Sequence, residues 1–292
     1  MRSFSDFDPV AVTIWFFSVI GVAMFCGHPL LMAVSLIGAV LFFLLRNGTK
    51  HVKSHLFFFL LFVVLSLANP LVSHNGVTVL FVLNNRPITL EALLYGVNSA
   101  AIIVGVLYWF RSFTQLMTSD KILCVTGTLS PKLSLILSMS IRAVPMFARR
   151  AKQVSDTQKA MGLYNEDNII DDIRGRIRVF SIISTWALEN GIITADSMTA
   201  RGYGTGRRSQ LRRFRFTVYD ALFILISLIL LGIVAVAIST GSFEFAFYPN
   251  INISVSGPLG IIGSIAYVIL VFLPLFIEME VSLKWKYLQS KI

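Results

Sequence analysis

Residues Val218–Thr240 read VYDALFILISLILLGIVAVAIST, and the only charged side chain in the stretch is Asp220, near its start. An α-helix needs about 20 mainly apolar residues to cross the hydrocarbon core of a bilayer. The stretch therefore reads as a membrane span, and the rest of the chain repeats the pattern. Outward from it lie Val10–Cys26, Leu30–Leu45, Leu56–Val72, Leu90–Phe110 and Leu259–Ile277, the last interrupted by Pro274. Proline inside a span is tolerated because neighbouring helices re-satisfy the freed backbone groups. The Gly27-His28-Pro29 turn makes the first two spans a tight helical hairpin.

Composition agrees. The 292 residues are 55% hydrophobic and 14% charged, with mean hydropathy +0.76, whereas soluble domains average about 45–50% apolar and about 25% charged. Met1–Pro9 carries Arg2, Asp6 and Asp8, and no small-residue cleavage site follows. The first apolar run thus reads as a retained span rather than a signal peptide.

Charge orients the spans. Of the 25 Lys and Arg residues, only Arg86 falls on one side when six spans are drawn with both termini in the cytoplasm. Arg2, the Arg46–Lys53 loop, residues 111–216 and the tail after Ile277 hold the others, the positive-inside pattern of a multi-pass protein. The outer connections differ. Ser73–Pro87 sets Val77–Leu83 between turn residues, which suggests a small strand or re-entrant piece, and Gly241–Gly257 carries a Pro249-Asn250 turn; both are also readable as plain connectors.

The chain thus divides into N-terminal spans (1–110), a basic cytoplasmic segment (111–216), and C-terminal spans with a basic tail (217–292). The fold class is all-α, a polytopic membrane protein of about six transmembrane helices with two long cytoplasmic helices. The net charge of +10 raises nucleic acid as a partner, but no nucleic-acid-binding module is legible, and the inside loops explain the charge. Cys26 and Cys124 form no C-x-x-C pair. His28, His51, His55 and His74 have no carboxylate or Cys at ligand spacing, so neither a metal nor a cofactor is expected.

The middle segment is too charged for lipid and too apolar for disorder. Ser130-Pro131 forms an N-cap and first-turn pair opening a helix through Lys159, apolar over Leu133–Met146 apart from Arg142, then basic, with a kink expected at Pro145. A seventh span is the other reading of its apolar half. A second helix starts near Asp171-Asp172 and carries an apolar stripe of Ile173, Ile177, Phe180, Ile183 and Ala187, with Arg174, Arg176 and Arg178 nearby. It ends in Thr199-Ala200-Arg201-Gly202, where Gly202 suits a C-terminal cap and Arg201 extends five donors past the helix end. Gly202-Tyr203-Gly204-Thr205-Gly206 lacks the Gly-Lys-Ser/Thr and preceding strand of a phosphate loop and reads as a flexible exit.

From roughly Asp8 to Ala221, this order of parts resembles the transmembrane T component of energy-coupling factor transporters. That family carries two cytoplasmic coupling helices, each ending in Ala-Arg-Gly. Ala200-Arg201-Gly202 matches the second signature. Ala160-Met161-Gly162, preceded by Lys159, takes the place of the first, with methionine where the family has arginine.

The resemblance implies a non-catalytic scaffold that binds two ABC-type ATPases through these residues and a small substrate-binding membrane subunit in the bilayer. Its setting is then a prokaryotic plasma membrane, and its cargo a vitamin, metal ion or other micronutrient. Leu133, Ile136, Leu137 and Ser140 are the candidate face for the substrate subunit, packing against the chain's own spans being the other reading. A permease of an ordinary ABC importer is the rival, although Glu189-Asn190-Gly191 does not match the Glu-Ala-Ala stretch of that class. An intramembrane enzyme would need ionisable pairs within the spans, and a carrier would need charges or broken helices near mid-membrane. Glu91 and Asp220 lie at span ends instead.

Overall fold

The computed structural model describes residues 4–47, 52–72, 76, 78–83, 86–163, 169–206, 214, 216–243, 245, 247 and 257–289. Arg2, Lys50, His51, His74, Lys291, the turns at Asn84-Asn85 and Pro249-Asn250, and the arginines at 207–213 and 215 lie outside them. A single 3-10 turn, Phe4–Asp6, precedes α1 (Pro9–Phe25), α2 (Pro29–Asn47) and α3 (Val52–Val72). Strands β1 (Val79–Leu83) and β2 (Arg86–Thr89) follow, then α4 (Leu90–Leu116), α5 (Ser119–Leu129), α6 (Pro131–Ala160), α7 (Ile169–Ala200), α8 (Val218–Ser239) and α9 (Gly257–Gln289).

The chain is an all-α polytopic membrane protein. Helices α2, α3, α4, α8 and α9 each contain a stretch long and apolar enough to cross a bilayer, and α1 is a shorter apolar helix of 17 residues. Within the connection between α3 and α4 lies an antiparallel hairpin, with Val82 opposite Pro87 and an irregularity between Val79 and Phe81. Two compact units divide the chain: Met1–Ile122 with Phe214–Ile292, and Leu123–Arg213.

In the first unit, α4 packs on α1, α2 and α3, and α9 packs on α2 and α8. Trp15, Trp109 and Tyr267 are fully buried at the centre. The two indoles meet edge to face at 5.5 Å, a favoured aromatic arrangement. Their N–H groups cannot go unpaired in an apolar interior. Trp15 Nε1 donates to the Leu270 carbonyl at 2.9 Å, and Trp109 Nε1 donates to Ser35 Oγ at 3.1 Å. Each bond ties one helix to another.

The first residues are part of this core. Phe4 is fully buried against Trp15, Phe42 and Phe223, and its N–H donates to Glu278 Oε2 at 3.1 Å. Lys121 Nζ donates to the Ser5 carbonyl at 2.8 Å. Burial and the nearby Arg46 pull this ammonium below the usual lysine range, and Asp6 opposes them. Asp8 caps α1 by accepting from Val10 N–H, and its own N–H donates to Asp220 Oδ1 at 3.0 Å. Asp220, buried at the start of α8, also accepts from the Thr217 N–H at 2.8 Å. Both end-of-span acids are therefore structural: Asp220 caps α8, and Glu91 accepts from Thr78 N–H at 3.1 Å and steadies the approach to the hairpin.

This clasp has a measurable weight. Phe4→Ala removes a fully buried aromatic side chain joining α1, α2 and α8, and truncations of this kind cost about 3–5 kcal/mol. A large drop in thermal unfolding temperature in detergent is expected, and an unchanged midpoint would contradict the packing.

Between α1 and α8 runs an apolar groove of about 600 Å³, lined by Phe17, Gly21, Leu228 and Ala235 among others.

Candidate functional site

The second unit holds α6, α7 and the last residues of α5. Ser130 is the N-cap of α6 and Pro131 its first residue, although the Ser130 side chain makes no capping bond. The helix runs to Ala160 without interruption at Pro145, where the sequence suggests a kink. Helix α7 opens on Ile169, with Asp171 and Asp172 in its first turn. Asp172 pairs with Arg176 at 2.9 Å and Asp171 with Arg174 at 4.0 Å. Surface pairs of this kind, one i,i+3 and one i,i+4, contribute at most about 0.2–1 kcal/mol, but they temper the basic face expected at the start of α7.

The packing between the two helices uses residues that the apolar stripe does not include. Phe147 of α6 meets the Trp186 ring edge to face at 5.7 Å, and the Arg150 guanidinium lies 5.6 Å from the same ring. Gly175 of α7 and Gln158 of α6 are buried. The stripe residues Ile173, Ile177 and Phe180 are instead exposed, as are Leu133, Ile136 and Leu137 on α6. Ser140 is exposed too, its hydroxyl donating to the Ile136 carbonyl at 2.9 Å. Contiguous apolar exposure on this scale marks a surface that meets another protein or a membrane.

The two helix ends are built alike. At the end of α7, the Gly202 N–H donates to the Thr199 carbonyl at 2.9 Å and the Tyr203 N–H to the Met198 carbonyl at 3.0 Å. At the end of α6, the Gly162 N–H donates to the Lys159 carbonyl at 2.9 Å and the Leu163 N–H to the Gln158 carbonyl at 3.1 Å. Both glycines have positive φ, +77° at Gly202 and +68° at Gly162. This pairing of a six-residue and a four-residue bond around a left-handed glycine satisfies the last carbonyls of a helix.

Ala160-Met161-Gly162 and Ala200-Arg201-Gly202 therefore occupy the same three positions of one backbone frame. The residue before the glycine stands on the tip: Met161 is 61% exposed and Arg201 is exposed. Sequence reading places both tripeptides at helix ends. It misses the identity of their hydrogen-bond frames, for which the signal was Ala-x-Gly recurring forty residues apart.

Over 105 residues the chain is 31% identical to the energy-coupling factor transporter transmembrane protein EcfT of Streptococcus thermophilus. The aligned stretch covers 35% of this chain and 39% of that protein. No family model matches the chain. With its apolar helices, the likeness is to the membrane component of a transporter.

Left-handed glycine at the tip predicts a local effect. Gly202→Ala places a Cβ in a conformation costing roughly 1–2 kcal/mol for an L-residue, so the end of α7 should fray. Faster amide exchange confined to the residues around Thr199–Tyr203 is the expected readout, and unchanged exchange there would contradict the cap.

Proposed function

We propose that this chain is the transmembrane coupling subunit of an energy-coupling-factor-type importer. It sits in a prokaryotic plasma membrane with both termini in the cytoplasm. Residues 111–216 form the cytoplasmic coupling module, between N-terminal spans (1–110) and C-terminal spans with their tail (217–292). Two ABC-type ATPases dock on the helix ends, one through Ala200, Arg201 and Gly202 and the other through Lys159, Ala160, Met161 and Gly162. A small substrate-binding membrane subunit packs on the apolar side of α6 around Leu133, Ile136, Leu137 and Ser140. The chain performs no catalysis. ATP binding closes the ATPases, α6 and α7 shift with them, and the substrate subunit reorients to release a micronutrient inward.

The observation that carries this reading is the repeated frame at the two helix ends. A long helix transmits a push only if its end is rigid and its contact residue is presented the same way each time. Alanine before the tip residue and glycine after it are small enough for close approach. The exposed apolar stretches of α6 and α7 supply the surface that a membrane partner would cover, and the likeness to EcfT supports the same role.

Purification of the tagged chain from its own membranes in mild detergent tests the reading. Two ABC-type ATPases and a small, very hydrophobic membrane protein are expected to remain bound. ATPases with no small membrane partner would favour a permease of an ordinary ABC importer. A folded chain retaining no ATPase would contradict the coupling role.

A further inference from the structure

Three helices of the membrane unit meet at one end around an aromatic floor. Phe43 of α2, His55 of α3 and Tyr108 of α4 lie ring to ring, with centroids 5.1 Å apart for Phe43 and His55 and 5.8 Å for each other pair. His55 Nδ1 and the Tyr108 hydroxyl share a hydrogen bond at 3.0 Å. Just past the floor each helix carries a cation: Arg46 three residues after Phe43, Arg111 three after Tyr108, and Lys53 two before His55. Asn47 Nδ2 donates to Gln115 Oε1 at 2.9 Å. That bond ties the end of α2 to α4 next to Arg46 and one turn from Arg111.

No acid on these helices answers the three charges. Helices α2 and α3 contain no Asp or Glu, and the only acid of α4, Glu91, is in its first turn, at the far end. Among the described residues, none of the three cationic groups forms an ion pair or a hydrogen bond. Arg46 is within electrostatic reach of Lys121, another cation, which is itself near Asp6. Beside this corner, α3 is the least buried of the five long apolar helices, with Leu56, Phe57, Leu60, Val64 and Leu67 exposed.

We propose that the corner binds the phosphate of an anionic phospholipid, whose acyl chains lie along the exposed face of α3. With both termini in the cytoplasm, as in the coupling reading, the lipid belongs to the inner leaflet. Guanidinium groups grip phosphate oxygens in pairs, and an ammonium meets them as a point charge. Basic pockets between membrane helices on the cytoplasmic side hold such headgroups. Leu56 and Phe57 lie one turn into α3 from Lys53, so a phosphate at the cations sets its chains directly on the apolar face. A zwitterionic lipid fits less well, because its own ammonium would meet three cations as a like charge.

The test uses the full-length chain in mild detergent, titrated with phosphatidylglycerol, phosphatidylcholine or inorganic phosphate and read by native mass spectrometry and thermal unfolding. Phosphatidylglycerol should stay bound and raise the unfolding midpoint, while the other two should do neither. Combined Arg46→Gln, Lys53→Gln and Arg111→Gln should lower phosphatidylglycerol retention at least about tenfold, each cation near an anionic headgroup being worth about fivefold. Combined Lys132→Gln, Arg142→Gln and Lys152→Gln removes the same charge from α6 and should keep the lipid. If the first triple variant does not fold, Arg111→Gln alone, expected to cost about fivefold, carries the test.

Equal retention of phosphatidylcholine would overturn the inference, and so would stabilisation by inorganic phosphate alone. Equal loss of lipid in the two triple variants would overturn it too, since diffuse attraction to a basic protein would then explain the binding. An acidic partner protein that crosslinks to the corner and excludes lipid from it would do the same. None of these readouts depends on whether ATPases copurify, so failure here leaves the coupling reading standing.

Discussion

Arg201→Glu is expected to abolish ATP-driven uptake while the protein remains folded and inserted. Arg201 is exposed at the cap of α7, its backbone N–H bonded to the Ser197 carbonyl at 3.2 Å. Its side chain therefore contributes little to the chain's own stability, since exposed substitutions of this kind usually change it by less than about 0.5 kcal/mol. At an interface the same side chain matters far more. Leaving one partner of a desolvated charge pair unmatched costs about 2–5 kcal/mol, and reversing the charge adds repulsion. ATPase binding should weaken by about a hundredfold or more, each 1.4 kcal/mol being tenfold, with the unfolding midpoint unchanged. Uptake at the wild-type rate in reconstituted vesicles would contradict the role assigned to Arg201.

The second large effect is structural and lies in the membrane. Pro70 in α3 has no N–H, so the Ser66 carbonyl, four residues earlier, loses its partner in the helix. That oxygen is directed at α4, and it lies 2.4 Å from where a Cβ on residue 96 would stand. Gly96 is what permits the approach, with Asn69 Cβ and Pro70 Cδ 3.2 and 3.3 Å from the same point. Small residues at such crossings let membrane helices approach closely. Because the obstructing atom belongs to the backbone, no side-chain rotation relieves the clash. Gly96→Val should thus destabilise the α3–α4 pair by about 1–3 kcal/mol or more, seen as loss of the monodisperse folded peak on size-exclusion in detergent. A folded peak with wild-type thermal stability would contradict this account of the contact.

Most of the membrane unit is legible in the sequence because hydropathy over some twenty residues is a local property. The run Val218–Thr240 needs no partner to be recognised, and α8 spans Val218–Ser239. Where apolarity and helix part company, the reading falls short. Helix α9 continues to Gln289, beyond the apolar run ending at Ile277, because amphipathic tail residues such as Glu280 and Lys284, which form an ion pair, keep the helix after the hydrocarbon stretch has ended. Helix α5 is short and mixed in composition, and no span pattern announces it.

Long-range pairings are the other blind spot. Phe4 lies in the short charged stretch before the first apolar run, and its place in the core depends on Phe223 and Glu278, more than two hundred residues away. Asp220 is readable as a residue at a span end, but not as the acceptor of the Asp8 N–H. In the candidate site, Gly202 and Arg201 are readable from cap chemistry alone. The α6–α7 contact through Phe147 and Trp186 is not, because Ile173, Ile177 and Phe180 of the stripe that dominates the periodicity are left exposed, and a partner's surface leaves the same pattern as a core.

The central claim is that a tip residue of α7 touches an ATPase. Replacing Tyr203, 43% exposed beside Arg201, with a photo-crosslinking benzoyl-phenylalanine and irradiating native membranes tests that contact directly. The predicted result is one adduct of this chain with an ABC-type ATPase, its crosslinked peptide in an acidic groove and its yield falling in the Arg201→Glu background. Adducts to lipid alone, or to proteins without an ATPase domain, would contradict the claim.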